Sequence, residues 1–243
     1  MLRLQSLQFG YKGHSILKEP TPVEGISFEK AQLITLIGRN GCGKSTLLRV
    51  LAGLQAPSHG ILSLNDRLYK SYSAIDFAKV LSIVTTERVD YPFLSVKELV
   101  SLGRHPHLGF GGRLSEKDHQ IVDVALAKMQ ITDLADRMIS KCSDGQRQAA
   151  MIARALAQET PVMLLDEITA HLDFVHRHQS FSLLQKLAIE EQKLIILATH
   201  EIELALAYSH KVLLLDQGTI SIFSPEVLRS NGVIEQIFEG YRF

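Results

Sequence analysis

The chain has little to hold it together covalently. Its 243 residues include two cysteines, Cys42 and Cys142. Two thiols make neither a disulfide framework nor a zinc cluster, and they fit a reducing cytoplasm. An excess of either charge is also lacking: Lys plus Arg and Asp plus Glu both total 26. A balanced chain lacks the general electrostatic pull toward a phosphate backbone, so nucleic acid is not an expected partner. Long apolar runs are missing. Leu194 to Ala198 and Val212 to Leu215 are far too short to span a bilayer, so any membrane role is expected to come through a partner. Met1-Leu2-Arg3-Leu4-Gln5 is followed by polar residues rather than the apolar stretch of a secretory signal. Neither an internal repeat nor a low-complexity tract occurs.

What is present is ordinary globular material. Hydrophobic residues make up 46% and charged residues 21%, enough for one sizeable core or two closely joined subdomains. Leu2 to Phe9 alternates apolar and polar residues, as a half-exposed strand does. Leu33 to Ile37, Ile61 to Leu64 and Val80 to Val84 read as further strands, and Ser45 to Leu54 as a helix ending at Gly53. From Ser95 to about Ala157 the apolar spacing turns helical. Strand texture returns at Val162 to Leu165, Leu194 to Ala198 and Lys211 to Leu215. Their consecutive apolar positions suit parallel strands buried on both faces. A helical segment is thus inserted in an α/β core. Gly103 to Arg113, with four glycines, reads as a mobile connecting loop.

Gly38-Arg39-Asn40-Gly41-Cys42-Gly43-Lys44-Ser45 matches the phosphate-binding pattern G-x-x-x-x-G-K-[ST], after an apolar strand and before a helix. Glycines permit backbone angles closed to other residues and let N–H groups close on phosphate oxygens. The helix N-terminus adds partial positive charge. Lys44 is expected on the β- and γ-phosphates of ATP, and Ser45 on Mg²⁺. Asn40, Gly41, Cys42, Gly43 and Thr46 complete the expected nucleotide contacts with Gly38. The alternative is a Gly-rich turn with a chance Lys-Ser.

Val162-Met163-Leu164-Leu165 runs into Asp166-Glu167. Carboxylates at the end of a parallel strand lie where such sheets bind ligands. Asp166 is expected to serve Mg²⁺, and Glu167 to polarise an attacking water. Alone, such a pair is ordinarily a solvated turn. His200 ends the run Leu194 to Thr199 and is expected to contact the γ-phosphate and orient the water.

Cys142-Ser143-Asp144-Gly145-Gln146-Arg147-Gln148 precedes a helical stretch, and Thr169-Ala170-His171-Leu172-Asp173 follows the acidic pair. With the phosphate loop and His200 in this order, nearly the whole chain resembles the ATP-binding subunit of an ABC transporter. The resemblance implies a P-loop NTPase core of RecA-like type, with a mainly parallel sheet and an N-terminal antiparallel β portion. The core would cover 1–90 and 158–243, and the helical subdomain about 91–157. It implies a head-to-tail homodimer in which Ser143, Gly145 and Gln146 reach the γ-phosphate on the opposite phosphate loop. Ser143 and Asp144 also suit plain helix capping. Tyr11 matches the aromatic that stacks on adenine, and Leu172-Asp173 the loop coupling the two sites. In the family's pairing Cys42 faces the partner's signature loop, where Cys142 lies; two reduced thiols are the expectation in a cytoplasm.

The chain departs from the family pattern in three places. Cys142 and Asp144 replace Leu and Gly of the signature, and Ile168 replaces the Pro after the glutamate. Thr85-Thr86-Glu87 stands where a Gln is usual, so Glu87 or Thr86 is expected to take over its Mg²⁺ contact. Leu99 to His107, Leu114 to Asp118 and Thr169 to Asp173 resemble importers of ferric siderophores, haem and cobalamin. Ferric siderophore is the first reading, and haem or cobalamin the next. A soluble scaffold ATPase, such as one serving iron–sulfur cluster assembly, is the alternative of another class, and an exporter subunit a third. The import reading implies an integral-membrane permease, an indirect substrate-binding protein and a peripheral place on the cytoplasmic membrane face. His105, His107, His171, His176 and His178 do not have the spacing of a recognised metal site.

Overall fold

The computed structural model describes residues 1–11, 14–85, 91, 93–109, 111–169 and 172–238. Two compact units divide the chain: Met1–Tyr72 with Leu164–Phe243, and Ser73–Met163. In chain order the first stretch holds β1 (Leu2–Gln8), β2 (Gly10–Tyr11), β3 (His14–Ser15), β4 (Ile26–Phe28), β5 (Gln32–Ile37), α1 (Lys44–Leu51), β6 (His59–Leu64) and β7 (Arg67–Leu68). The middle holds α2 (Ala74–Ala78), β8 (Leu81–Val84), α3 (Val96–Ser101), α4 (Glu116–Lys128) and α5 (Asp144–Ala157). β9 (Val162–Asp166), α6 (Phe174–Glu190), β10 (Leu194–Ala198), α7 (Ile202–Tyr208), β11 (Lys211–Asp216), β12 (Thr219–Phe223), α8 (Pro225–Ser230) and α9 (Val233–Ile237) follow.

β1 pairs antiparallel with β4 and β6 in a sheet of order β4-β1-β6-β7. Its alternation carries one irregularity. Leu2 and Leu4 are buried, but so are Leu7 and Phe9, three and five residues beyond Leu4. The register shifts between Gln5 and Gln8, and Ser6 has a φ of 47°. This bulge inserts one residue and returns the apolar side chains to the same face. Opposite it a Cβ on Gly60 would meet Ser6 O at 2.5 Å, so only glycine fits there.

The second sheet centres on β5, which lies parallel between β10 and β11. Leu33, Ile34, Leu36 and Ile37 are buried, as are all five residues of β10. Burial on both faces explains the unbroken apolar runs. β9 lies beside β10. β11 turns into antiparallel β12 through Gln217 and Gly218, both at positive φ, the two-residue turn that suits strand twist.

In the middle unit three helices open on the same device. Ser95 with Glu98, Ser115 with Asp118 and Ser143 with Gln146 each form a reciprocal capping box. Val96, Leu99 and Val100, then Val122, Ala125 and Leu126, then Ala150, Ala153 and Leu156 form the buried stripes of α3, α4 and α5. Within this unit Thr160 Oγ1 donates to Ser82 Oγ at 2.8 Å, and Val162 N–H to Val80 O at 3.2 Å.

The reading of Gly103 to Arg113 as a mobile loop is corrected in its first half. Leu102–His107 is a 3₁₀ helix, and a Cβ on Gly103 would lie 2.2 Å from Arg154 O. Glycine there permits close packing rather than mobility. Arg104, 4% exposed, donates to Asp118 Oδ1 at 2.9 Å, Ala157 O at 2.7 Å and Glu159 Oε2 at 2.9 Å. The Ser115 hydroxyl and N–H, then Arg104, hold the Asp118 carboxyl well below the usual carboxylate range. Among the described residues, none of the helices is long and apolar enough to cross a membrane.

Candidate functional site

The site grows from strand ends. β5 stops at Ile37, and the chain turns sharply because Gly38 has no side chain: a Cβ there would meet Leu215 O at 2.2 Å and Cys42 Sγ at 2.7 Å. Gly41 and Gly43 take φ of 75° and 109°. Gly43 also abuts Ile16, whose Cγ2 would lie 2.7 Å from an added Cβ. Gly43 is the N-cap of α1, and no side chain bonds the helix start. The first N–H groups of α1 are therefore left to an anion.

Lys44 opens α1 and is 5% exposed. Its ammonium donates to Gly38 O at 3.0 Å and Arg39 O at 3.3 Å, folding back over the loop. It also lies 4.0 Å from Glu167 Oε1. Thr46 is buried, and its Oγ1 lies 3.2 Å from the Tyr11 hydroxyl. Tyr11 as a residue is 65% exposed.

Asp166 ends β9 and is 5% exposed. Burial pushes its carboxyl above the usual range; a hydrogen bond from Ser45 and the nearby Lys44 charge oppose this, and Glu167 adds to it. Among the described residues its buried Oδ1 has no hydrogen-bond partner. A bare carboxylate oxygen in that position suits a cation.

Glu167 follows with a φ of 48°, a left-handed backbone that bulky residues avoid. Its N–H donates to Ala198 O at 2.9 Å, tying the end of β9 to the end of β10. Two residues beyond Ala198, His200 Nε2 reaches Glu167 Oε1 at 2.5 Å. Asp166, Glu167, His200, Lys44, Ser45, Thr46 and Tyr11 all belong to one unit. A cavity of about 450 Å³ beside them is lined by Gly38, Arg39, Asn40, Thr199 and His200, with apolar walls from Ile202, Ile237 and Phe238. Arg39 Nε donates to Ile237 O at 2.8 Å.

Ser143, Gly145 and Gln146 belong to the other unit. Ser143 caps α5: its Oγ accepts from Gln146 N–H at 3.3 Å, and its own N–H donates to Gln146 Oε1 at 3.0 Å. Burial pushes both thiols, Cys42 and Cys142, above their usual range, and both are free. Thr86, Glu87, Ala170 and His171 lie outside the described residues. Of the other histidines, His107 bonds Gln158 O, His176 bonds Asp173, and His178 bonds the Tyr208 hydroxyl. Among the described residues, no group of three or more His, Cys, Asp or Glu is placed to hold a metal ion.

Two residues behind His200 escape a reading of the sequence. Arg177 Nη1 donates to Glu201 Oε1 at 2.5 Å across 24 residues of chain. The available signal was positional: Glu201 follows His200, and Arg177 stands four residues after Asp173.

Comparison with known proteins shows the family to which the chain belongs. The ABC transporter family model matches residues 25–170, more than half of the chain. The iron(3+)-hydroxamate import ATP-binding protein of Bacillus subtilis is 35% identical over 94% of this chain and 86% of its own length. The ferric enterobactin transport ATP-binding protein of Escherichia coli is 33% identical over 98% and 86%. The structure of CbiO1 from Clostridium perfringens, part of the ABC transporter complex CbiONQ, has a TM-score of 0.81. It is 28% identical, covering 97% of this chain and 93% of that one.

Proposed function

Because the chain belongs to the ABC transporter family as an ATP-binding subunit with ATPase activity, we propose that it powers the import of ferric siderophores. The observation that carries the hydrolytic part is the 2.5 Å contact of His200 Nε2 with Glu167 Oε1, beside Lys44 and the phosphate loop. The siderophore part rests on the relatives named above.

In this reading Tyr11 stacks on adenine. The loop amides from Gly38 to Gly43, with Asn40, Gly41, Cys42 and Thr46, hold the phosphates. Lys44 leaves the carbonyls of Gly38 and Arg39 for the β- and γ-phosphate oxygens. Glu167 takes a proton from the attacking water, and His200 holds that carboxylate and meets the γ-phosphate. The orphan Oδ1 of Asp166 and the Ser45 hydroxyl fit Mg²⁺. Ser45 and Asp166 would hold the ion, with Glu87 or Thr86, both outside the described residues, as the proposed further ligand, and when bound it would neutralise phosphate charge.

A second copy supplies Ser143, Gly145 and Gln146 to the γ-phosphate, so the working unit is a homodimer. The start of α5 suits that role because its N-terminus favours an anion. The dimer drives an integral-membrane permease from the cytoplasmic face of the membrane, with a substrate-binding protein delivering the cargo. The test has two arms. Glu167→Gln should bind ATP as the wild type does and lose nearly all turnover; near-normal hydrolysis removes Glu167 from the base role. A pull-down from membranes should recover a polytopic permease, and deletion of the gene should abolish uptake of radiolabelled ferric siderophore. Unchanged uptake rejects the import reading.

A further inference from the structure

We propose that Arg177 and Glu201 are positioning residues, a strut that sets the His200 imidazole against Glu167. The inference rests on the functional reading above and deepens it. His200 sits in the short segment between β10 and α7, and its backbone is held from both sides. Thr199 N–H donates to Leu36 O at 3.1 Å on the sheet side. Glu201 N–H donates to Thr199 Oγ1 at 3.0 Å, and Ile202 N–H to His200 O at 3.0 Å.

Glu201 is the N-cap of α7, a position that favours the short side chains of Ser, Thr, Asp and Asn, which reach back to the free N–H groups. Here it makes no cap bond. Its carboxylate is drawn sideways to Arg177 instead. Arg177 stands in the first turn of α6, and its N–H donates to Asp173 O at 2.9 Å. Asp173 caps α6 by accepting from His176 N–H at 3.0 Å. A firmly capped helix start therefore carries the cation that fixes the residue next to His200. The chain of contacts runs from α6 through Arg177, Glu201 and His200 to Glu167, all inside one unit.

Burial separates positioning from stability. The two side chains are 34% and 29% exposed, and ion pairs that open to solvent add little to folding. Among the described residues the buried Nε of Arg177 has no hydrogen-bond partner, and its bond to Glu201 runs through Nη1. A lysine at 177 keeps the charge and removes the orphan donor. A displacement of His200 by about an ångström would cost on the order of tenfold to a hundredfold in rate.

The experiment measures kcat, the KM for ATP and the melting temperature of the purified full chain. Arg177→Met and Glu201→Gln should each lower kcat at least tenfold while KM and melting temperature stay near wild type. Arg177→Lys should keep most of the rate. The double variant Arg177→Met/Glu201→Gln should be no slower than either single one, and the reversed pair Arg177→Glu/Glu201→Arg should recover much of the loss. Wild-type kcat in Arg177→Met, or losses that multiply in the double variant, overturns the strut. Should Arg177→Met fail to fold, Glu201→Gln decides the matter: wild-type kcat in that variant overturns the strut. Failure of the underlying reading looks different: Glu167→Gln would then hydrolyse ATP at the wild-type rate.

Discussion

Replacing Asp166 by Asn should make the protein more stable without nucleotide and less stable with it. Asp166 is 5% exposed, its Oδ1 has no partner among the described residues, and Glu167 is the next residue. Burial raises its carboxyl pKa in the fold, opposed by Ser45 and Lys44. An acid with a raised folded pKa binds its proton more tightly when folded. The ionised form therefore penalises the fold: not at all below the unfolded pKa, increasingly as pH climbs, and fully above the folded pKa. Asn keeps the shape and a polar contact to Ser45 but carries no charge. Relief should amount to about 1–2 kcal/mol, the lower part of the cost of a buried unpaired polar group. For a chain of this size each kcal/mol moves the midpoint about 2–4 °C, so a rise of roughly 2–8 °C is expected at pH 7.5.

With Mg-ATP the order should invert. A ligand at a hundred times its Kd adds about 2.7 kcal/mol, and the variant loses most of that because it lacks the charge that would hold the cation. Thermal melts with and without Mg-ATP, repeated from pH 4 to 8, read both effects. The gap without nucleotide should close toward acid pH, as wild-type Asp166 takes up its proton. A variant that melts below wild type without nucleotide at pH 7.5 would refute the argument from burial.

Two further outcomes follow from the packing. Arg104→Met should cost about 3 kcal/mol, between the loss of charge-assisted bonds and that of a whole buried pair, because Asp118 keeps its Ser115 bonds while Ala157 O is left bare. Asp118 has a depressed folded pKa, so its contribution is present above the unfolded pKa and fades as pH falls; denaturant melts check both, and a loss under about 1 kcal/mol contradicts the network. Gly38→Ala should abolish binding of a fluorescent ATP analogue, since its Cβ would meet Leu215 O at 2.2 Å; binding within about threefold of wild type is the contrary result.

The parts of the site that could be read from the sequence are those with local causes. The phosphate loop is a contiguous string whose glycines answer to its own turn. Asp166, Glu167 and His200 stand where apolar runs stop, and a strand end is visible in a sequence. The three capping boxes were open to the same reading, each a serine with its partner three residues on. Other features depend on distant chain. Gly103 looked like loop material because nothing near it announces Arg154 O, the atom it must pass. The bulge at Ser6 shows in the sequence only as the adjacent polar residues Gln5 and Ser6, and the glycine that leaves room for it, Gly60, comes from another strand. Arg177 and Glu201 meet across 24 residues, so neither carries a sign of the other.

The bond from Glu167 N–H to Ala198 O has a wider consequence for how this site tolerates change. Glu167 and His200 are brought together by two strand ends, and the phosphate loop leaves β5, where Leu36 is paired with Ala198. Their spacing is therefore counted in whole residues of ladder. A slip of one residue would turn every side chain to the opposite face. Over long sequence drift, a substitution in the sheet interior that keeps the register should be silent at the site even a few ångströms away. A single insertion within β10, remote from any phosphate, would part the acid from its histidine.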